Sequence, residues 1–303
     1  MKNGNLLVAA AVSALICFGG VLIRAQSVSL VSASVGSAFG YDSNRTRDAA
    51  ETSSAFVELS PDLKYMLLFP GASELDLYAT YLHREFLASG LSSEEELDVG
   101  ARLFLLSGRT HAAARLSTGL FRNRDDAWDD HTWVSFMPAV WREFAGPWEW
   151  KLRGIAAYEA YDSRTTLDGE DEEALYGSVA AGLGRRIGLR AFAWAEAIAD
   201  RYAPGERLDE YSEQGMRAAT EWDSGRRLKL GLELGGVSRK YEAWPARQTR
   251  LDGQLWVKYR VVYWADVLAS VEGLACDGSG GADDYDRWIA KTGLQLVAER
   301  DVP

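Results

Sequence analysis

The chain has 303 residues, of which 47% are hydrophobic, 25% charged and 11% aromatic. That content is too apolar and too aromatic for a disordered chain. Acidic residues outnumber basic ones, 44 to 33, and the net charge of -11 argues against a protein that binds nucleic acid through its phosphates. The only cysteines are Cys17 and Cys276, and Cys17 lies in the leader described next. A mature chain therefore has one thiol and no internal disulfide.

The N-terminus has the pattern of a secretory signal peptide. Lys2 precedes an uncharged apolar stretch at 6–23, after which Arg24 returns the chain to polar sequence. We predict a signal peptide over residues 1–25, cleaved near Ala25, followed by one domain over residues 26–303. An uncleaved membrane anchor is the alternative. The mature protein is then exported and acidic.

Familiar catalytic and metal-binding motifs are absent from the sequence. It contains no CxxC, HExxH, GxxxxGK[ST] or GxSxG, and the spacing of His83, His111 and His131 matches no metal site. His131 and Ser135 are the one nearby pair of base and nucleophile, but on a strand they lie about 13 Å apart. We therefore expect no enzyme, no cofactor and no metal, and a hydrolase site on the rim of the fold is the less favoured alternative.

Apolar and polar residues alternate with a period of two through the mature chain. In residues 228–234, four leucines alternate with Lys229, Gly231 and Glu233. This period is typical of strands, and many segments reach the roughly 9 to 11 residues that a tilted strand needs to cross a bilayer. The pattern predicts fourteen strands at roughly 29–41, 53–66, 74–86, 95–106, 110–121, 131–143, 148–160, 173–184, 189–199, 212–222, 227–236, 250–259, 261–272 and 285–297.

The connections between these segments alternate between short turns and longer polar loops. An outer-membrane barrel has short periplasmic turns and longer external loops. We therefore predict an all-β fold, a transmembrane antiparallel up-and-down β-barrel in the cell outer membrane, with both termini periplasmic. Aromatic residues on the apolar face also fall at the strand ends, where interfacial rings are favoured. At the external ends these are Tyr41, Tyr81, Tyr158 and Trp288, and at the periplasmic ends Tyr65, Trp148, Trp222 and Tyr259.

Two patches near the start resemble known barrels. They are GYDSNRTR at 40–47 and SSAFVELSPDLKY at 53–65, the second followed by PGASELDLYATY at 70–81. Both are similar to the opening hairpins of Gram-negative outer-membrane porins and of the fourteen-stranded barrel of surface lipoprotein assembly modifiers. The resemblance implies a porin-like channel or an accessory barrel of an export system.

The polar face of the strands is predicted to line the lumen. The residues expected there are Glu58, Asp98, Arg102, Arg115, Lys151, Arg153, Glu196, Arg217, Glu233, Arg287 and Lys291. Arg102 and Arg115 on adjacent strands, with Lys151 and Arg153 two strands further on, could form a basic ladder that selects or orients anionic solutes. Alternatively, the two signs neutralise each other, which their comparable numbers favour. The acidic outer loops, including the run from Asp168, could hold divalent cations, although solvated loop charge explains them more simply.

These observations favour an outer-membrane channel, which passes small polar solutes or ions through a narrow lumen of mixed charge. The alternative is a non-conducting accessory barrel for export of a polymer or a lipoprotein. The expected partners are the lipid bilayer, small polar solutes or ions and, for the alternative, a protein of an export system.

Overall fold

The computed structural model describes residues 28–44, 53–70, 73–88, 93–123, 130–144, 146–165, 171–205, 210–225, 227–243, 245–279 and 285–302. The predicted signal peptide lies outside these residues. Among the residues described, no helix is long and apolar enough to cross a membrane.

Fourteen strands make up the fold, as the alternation predicts. They are β1 Val28–Asp42, β2 Ser54–Phe69, β3 Ser73–Phe86, β4 Glu94–Ser107, β5 Thr110–Asn123, β6 His131–Glu143, β7 Trp148–Thr165, β8 Asp171–Ile187, β9 Ala191–Pro204, β10 Tyr211–Asp223, β11 Leu228–Tyr241, β12 Arg247–Val262, β13 Ala265–Ser279 and β14 Tyr285–Val302. Several strands are longer than predicted. For example, β14 continues to Val302, which pairs with Ser29, instead of ending near residue 297. Backbone hydrogen bonds continue where the hydrophobic alternation stops, because they do not depend on side-chain type.

The strands form one closed antiparallel sheet. Each strand pairs with its neighbours along the chain, and β1 pairs with β14 to close the barrel. Closure pairs both edges of the sheet, so no strand presents a free row of backbone groups.

The short connections all lie at one end of the barrel, together with the start of β1 and the end of β14. Four of these turns contain a glycine with positive φ: Gly108 at 60°, Gly146 at 59°, Gly188 at 65° and Gly225 at 75°. Glycine adopts this backbone conformation without a steric penalty, which permits a tight reversal between strands. We call this end the short-turn end and the opposite one the long-loop end. Most residues of the long loops lie outside the described part of the chain. Of the acidic stretches expected in these loops, Glu94–Glu96 belong instead to β4 and Asp171–Glu173 to β8, because backbone pairing continues into them.

The two faces of the sheet differ in polarity. On β1, Val35 is 47% exposed and Phe39 55% exposed, whereas Asp42 on the other face is fully buried. The same division holds on β12, where Leu251 and Leu255 are more than half exposed. In a closed barrel the more exposed face is the outer one, so the outer face is apolar and the inner face polar. The eight aromatic residues expected at the strand ends all lie on the outer face.

Candidate functional site: the inner wall

The residues predicted to line the lumen all point to the inner face. They are Glu58, Asp98, Arg102, Arg115, Lys151, Arg153, Glu196, Arg217, Glu233, Arg287 and Lys291. The antiparallel pairing alone fixes this, because residues directly opposite each other on neighbouring strands share a face. Whether they border a conducting path stays a prediction.

Near the long-loop end, one part of the inner wall is a chain of ion pairs. Glu58 is 6% exposed and accepts hydrogen bonds from Arg84 Nη2 at 2.8 Å and from Lys291 Nζ at 3.1 Å. Arg84 also donates to Glu94 at 3.2 Å. These contacts connect β14, β2, β3 and β4. We call this part of the inner wall, on β14 and β1 to β4, the ion-paired half.

The strongest contact in the ion-paired half joins the first and last strands. Arg287 donates to both carboxylate oxygens of Asp42, from Nε at 2.9 Å and from Nη2 at 2.5 Å. Asp42 is fully buried and Arg287 is 8% exposed. The fork of the guanidinium matches the carboxylate, so the pair fixes both orientation and charge balance.

The three arginines of the proposed basic ladder, Arg102, Arg115 and Arg153, are each paired with a carboxylate. Arg102 and Arg115 are directly opposite each other on β4 and β5, where two like charges repel. Each has a carboxylate: Arg102 lies 3.5 Å from Asp76, and Arg115 pairs with Asp98. These two arginines are thus held as members of ion pairs.

Arg153 and Glu196 form a further pair over the intervening strand. They project from β7 and β9 and meet above Gly182 of β8. A Cβ at Gly182 would lie 2.6 Å from the carbonyl oxygen of Ala195, so a larger residue would force the strands to shift. Arg217 similarly pairs with Glu233 at 3.0 Å. Lys151 has no ion-pair partner among the described residues.

The ion pairs follow the wall and do not cross the lumen. Within the described chain, every ion pair on the inner face joins strands that are neighbours or next but one, as between Lys291 and Glu58 or Arg153 and Glu196. Small barrels of about eight strands are filled by their own side chains, and fourteen strands enclose a wider interior. The described side chains therefore neutralise one another without bridging the centre.

A cavity of about 430 Å³ opens between β1, β2, β3 and β14. Its polar lining consists of Ser34, Ser60, Asp62, Thr80, Glu96 and Gln295. Gln295 donates to Ser34 Oγ at 3.2 Å. Asp62 and Glu96 have no ion-pair partner among the described residues, so the cavity carries uncompensated negative charge.

The opposite part of the inner wall carries a row of aromatic residues that the sequence analysis did not identify. One residue comes from each of seven consecutive strands, within five positions of the strand end at the long-loop side: Phe121, His131, Tyr161, Tyr176, Tyr202, Tyr211 and Tyr241. We call this row the aromatic arc. The sequence signal is an aromatic residue at an inward position near each long loop from β5 to β11, but it becomes visible only when the strands are aligned.

Strand pairing brings these rings into contact. Phe121, His131 and Tyr161 are directly opposite one another across β5, β6 and β7, with ring centroids 5.5 and 5.2 Å apart. Tyr202 and Tyr211 are also directly paired, with centroids at 5.2 Å. Such cross-strand aromatic pairs stabilise a sheet.

The next strand extends the second row. Tyr241 of β11 is directly opposite Tyr211, at 6.1 Å between centroids. The two rows meet where the hydroxyls of Tyr161 and Tyr202 lie 3.3 Å apart. The arc is therefore a continuous surface.

Polar groups border the arc. The hydroxyl of Tyr161 donates to Glu159 at 2.9 Å. The guanidinium of Arg239 lies 3.8 Å from the ring centroid of Tyr211 and donates to Glu213 at 2.6 Å. The surface thus combines flat apolar faces with fixed charged donors and acceptors.

No catalytic or metal-binding arrangement occurs among the residues that the structure describes. No group of three or more potential metal ligands is found there. Ser135 shares a 2.8 Å hydrogen bond with Ser117, and His131 lies among the rings of Phe121, Trp133 and Tyr161. The absence of enzymatic activity stays a prediction.

Comparison with known proteins gives similarity of fold only. No protein-family model and no curated protein sequence matches the chain. A bacterial polysaccharide outer membrane secretin has a TM-score of 0.54 at 8% identity, covering 87% of this chain and 97% of that one. The trimer form of OmpT, an outer membrane protein of Vibrio cholerae, has a TM-score of 0.50 at 11% identity, covering 89% and 99%. An anion-selective porin from Comamonas acidovorans has a TM-score of 0.48 at 10% identity, covering 90% and 100%.

The first two of these structures share the architecture seen here, a closed barrel in an outer membrane. The apolar outer face and the pairing of the first strand with the last agree with that setting. Lipid offers no hydrogen-bond partners, so every backbone group within a bilayer must be paired inside the protein. The chain has the fold of a Gram-negative outer-membrane β-barrel, built from fourteen antiparallel strands.

Proposed function

We propose that the protein is an outer-membrane channel for small polar solutes and ions, with a preference for cations. The observation that supports this best is the course of the ion pairs. They join strands no further than next but one, so the paired charges follow the wall and none of these pairs crosses the axis of the barrel. A lumen of this kind conducts where its loops leave it open.

The proposed orientation follows from the connections. The short turns share one end of the barrel with the start of β1 and the end of β14, and this is the periplasmic end in barrels with this pattern. The long-loop end, with the aromatic arc and the ion-paired half, then faces the outside.

The preference for cations rests on uncompensated carboxylates. Nine acidic side chains on the inner face have no ion-pair partner among the described residues: Asp62, Glu96, Glu149, Glu159, Asp200, Glu221, Asp252, Glu272 and Glu299. Lys151 is the corresponding unpaired base within the same residues. Fixed pore charge raises the local concentration of counter-ions, so the excess favours cations.

Conductance in a planar bilayer tests this proposal. We expect the purified, folded protein to give stepwise ion conductance, with a reversal potential in a KCl gradient that indicates cation preference. The double variant Asp62→Asn/Glu96→Gln should keep the conductance and lose a measurable part of the preference, because it removes the two negative charges from the 430 Å³ cavity.

A matched control changes the same number of charges on the outer face. Glu85 and Glu95 point outward on β3 and β4, so Glu85→Gln/Glu95→Gln should leave the reversal potential unchanged. A folded barrel without conductance would contradict the channel. Conductance with equal effects of both double variants would contradict the role of the cavity.

A second candidate is a barrel that takes part in polymer export. Its support is the similarity of fold to a barrel described as a polysaccharide secretin, together with an inner surface of aromatic rings. Absence of ion conductance in the folded protein, together with co-purification of a periplasmic protein, would favour this candidate over the channel.

A further inference from the structure

We propose that the aromatic arc is a binding surface for carbohydrate at the long-loop mouth of the lumen. The inference deepens the proposed function by naming the class of solute that the wall recognises. Binding of the sugar does not depend on the proposed channel, whereas its passage through the lumen rests on that proposal. The arc itself is an independent observation: seven consecutive strands, β5 to β11, each contribute one aromatic residue at a similar height.

The placement of these rings is unusual for an interior bounded by water. The ion-paired half, at the same end, also has two inward rings, Phe56 and Phe86, but both are almost fully buried and Arg84 lies over Phe56. Its other inward side chains there include carboxylates, arginines and a lysine, which water solvates well. Tyrosine, histidine and phenylalanine rings present apolar area to the lumen. Except for Tyr161, which is 9% exposed, the members of the arc are only half-buried. Half-buried rings in a row offer apolar area that a solute can cover.

Sugar rings match this surface chemically. A pyranose has one face made mostly of C–H groups, with hydroxyls around its edge. The C–H face stacks on the electron-rich face of an aromatic ring, while the hydroxyls need donors and acceptors beside it. Glu159 and the pair of Arg239 and Glu213 provide these beside Tyr161 and Tyr211.

The shape of the arc favours a chain of sugars over a single one. Directly paired residues on neighbouring strands are spaced by the strand separation of about 4.8 Å. Tyr202, Tyr211 and Tyr241 are paired in this way on β9, β10 and β11. Tyr202 and Tyr211 stack on each other and Arg239 lies over Tyr211, so what repeats along the arc is the position of the rings. A row of regularly spaced rings suits a ligand that also repeats, such as a linear oligosaccharide.

The test combines binding and conductance with cellohexaose and maltohexaose as probes. The full-length protein in detergent should bind at least one of them in isothermal titration calorimetry, and the same sugar should reduce the ion current reversibly when added at the long-loop side. The double variant Tyr211→Leu/Tyr241→Leu keeps apolar bulk but removes two ring faces. It should bind about tenfold more weakly or worse, since each stacked ring contributes to the affinity.

The matched control removes two tyrosines from the outer face. Tyr65→Leu/Tyr259→Leu should leave sugar binding unchanged, because both side chains face away from the lumen. Heat-modifiable migration on gels establishes that each variant is folded. If a Leu variant does not fold, Tyr211→Phe/Tyr241→Phe retains the faces and should retain most of the binding.

The outcomes separate this inference from the channel. Ion conductance without sugar binding would overturn the inference and leave the channel standing. Sugar binding without conductance would support the inference and contradict the channel. Equal weakening by the inner and outer tyrosine variants, or binding of tetramethylammonium in place of the sugars, would overturn it as well.

Discussion

The two halves of the inner wall at the long-loop end are built from different side chains on the same backbone. From β14 through β4 the wall is a chain of hydrogen-bonded ion pairs, with Asp42 fully buried under Arg287. From β5 through β11 it is a row of aromatic rings. Both halves occupy inward positions of strands that carry the same apolar outer face.

The difference shows that the barrel constrains polarity on one face only. The outer face must be apolar because it meets lipid, where a polar group without a partner costs several kcal/mol. The inner face can be satisfied by paired charges, by water or by stacked rings. The composition of the inner face is therefore available for function. The contrast between the halves agrees with the proposals made above, in which ion pairs help to close the barrel and the aromatic arc binds solute.

The largest expected effect is the loss of the pair that closes the barrel. Arg287→Met leaves the carboxylate of Asp42 buried without its cation, and removing one partner of such a pair costs about 3 to 5 kcal/mol. Unfolding by urea in lipid vesicles measures this cost.

The control is a solvent-exposed pair of the same type at the short-turn end of the inner face. Arg186 and Glu143 are 65% and 40% exposed, and Arg186→Met should change the free energy of unfolding by about 0 to 1 kcal/mol. If both variants lose the same amount, the ion-paired half contributes no more than ordinary surface charge and the comparison fails.

The next effect tests whether the two halves belong to an inner face at all. Leu232→Arg places a charge on the outer face near the middle of β11, where it should cost about 2 to 4 kcal/mol in a bilayer. Gln254→Arg on the neighbouring strand points inward between Glu233 and Glu272 and should cost much less. Urea unfolding in vesicles again gives both values.

Gly231, the inward neighbour of Leu232, is not a suitable control. A Cβ added there would lie 2.2 Å from the ring of Trp256, so a larger residue overpacks the lumen. Equal costs for Leu232→Arg and Gln254→Arg would contradict the assignment of the faces.

Local pattern was sufficient to predict the strands, their number and their faces. The alternation in residues 228–234 assigns the four leucines to the outer face directly, because a strand has a period of two. The short connections, four of which contain a glycine with positive φ, predict that consecutive strands are antiparallel neighbours in an up-and-down order. Each of these signals lies within a few residues of sequence.

Contacts between residues on strands that are distant in sequence could not be predicted from local pattern. Arg287 and Asp42 are 245 residues apart, and their contact requires both closure of the sheet and the register of β1 with β14. The aromatic arc likewise depends on the register of seven strands, and a shift by one residue would turn a ring to the lipid. The neutralisation of Arg102 and Arg115 depends on Asp76 and Asp98 for the same reason.

The smallest expected effect lies at the border of the aromatic arc. Arg239 of β11 stacks on Tyr211 at 3.8 Å from the ring centroid and also donates to Glu213, which lies 3.9 Å from Arg250 of β12. Arg239 therefore contacts both the aromatic arc and the charged side chains beside it.

A double-mutant cycle with Arg239→Met and Tyr211→Leu should give a coupling free energy of about 0.5 to 2 kcal/mol, the range for a cation over an aromatic face that is partly shielded from water. The cycle with Arg239→Met and Tyr65→Leu, whose ring is on the outer face of β2, should give a coupling near zero. A coupling that disappears in 1 M salt, where charges are screened within about 3 Å, would assign the contact to simple charge attraction. A coupling that persists would show that stacking joins the aromatic arc to the charges beside it.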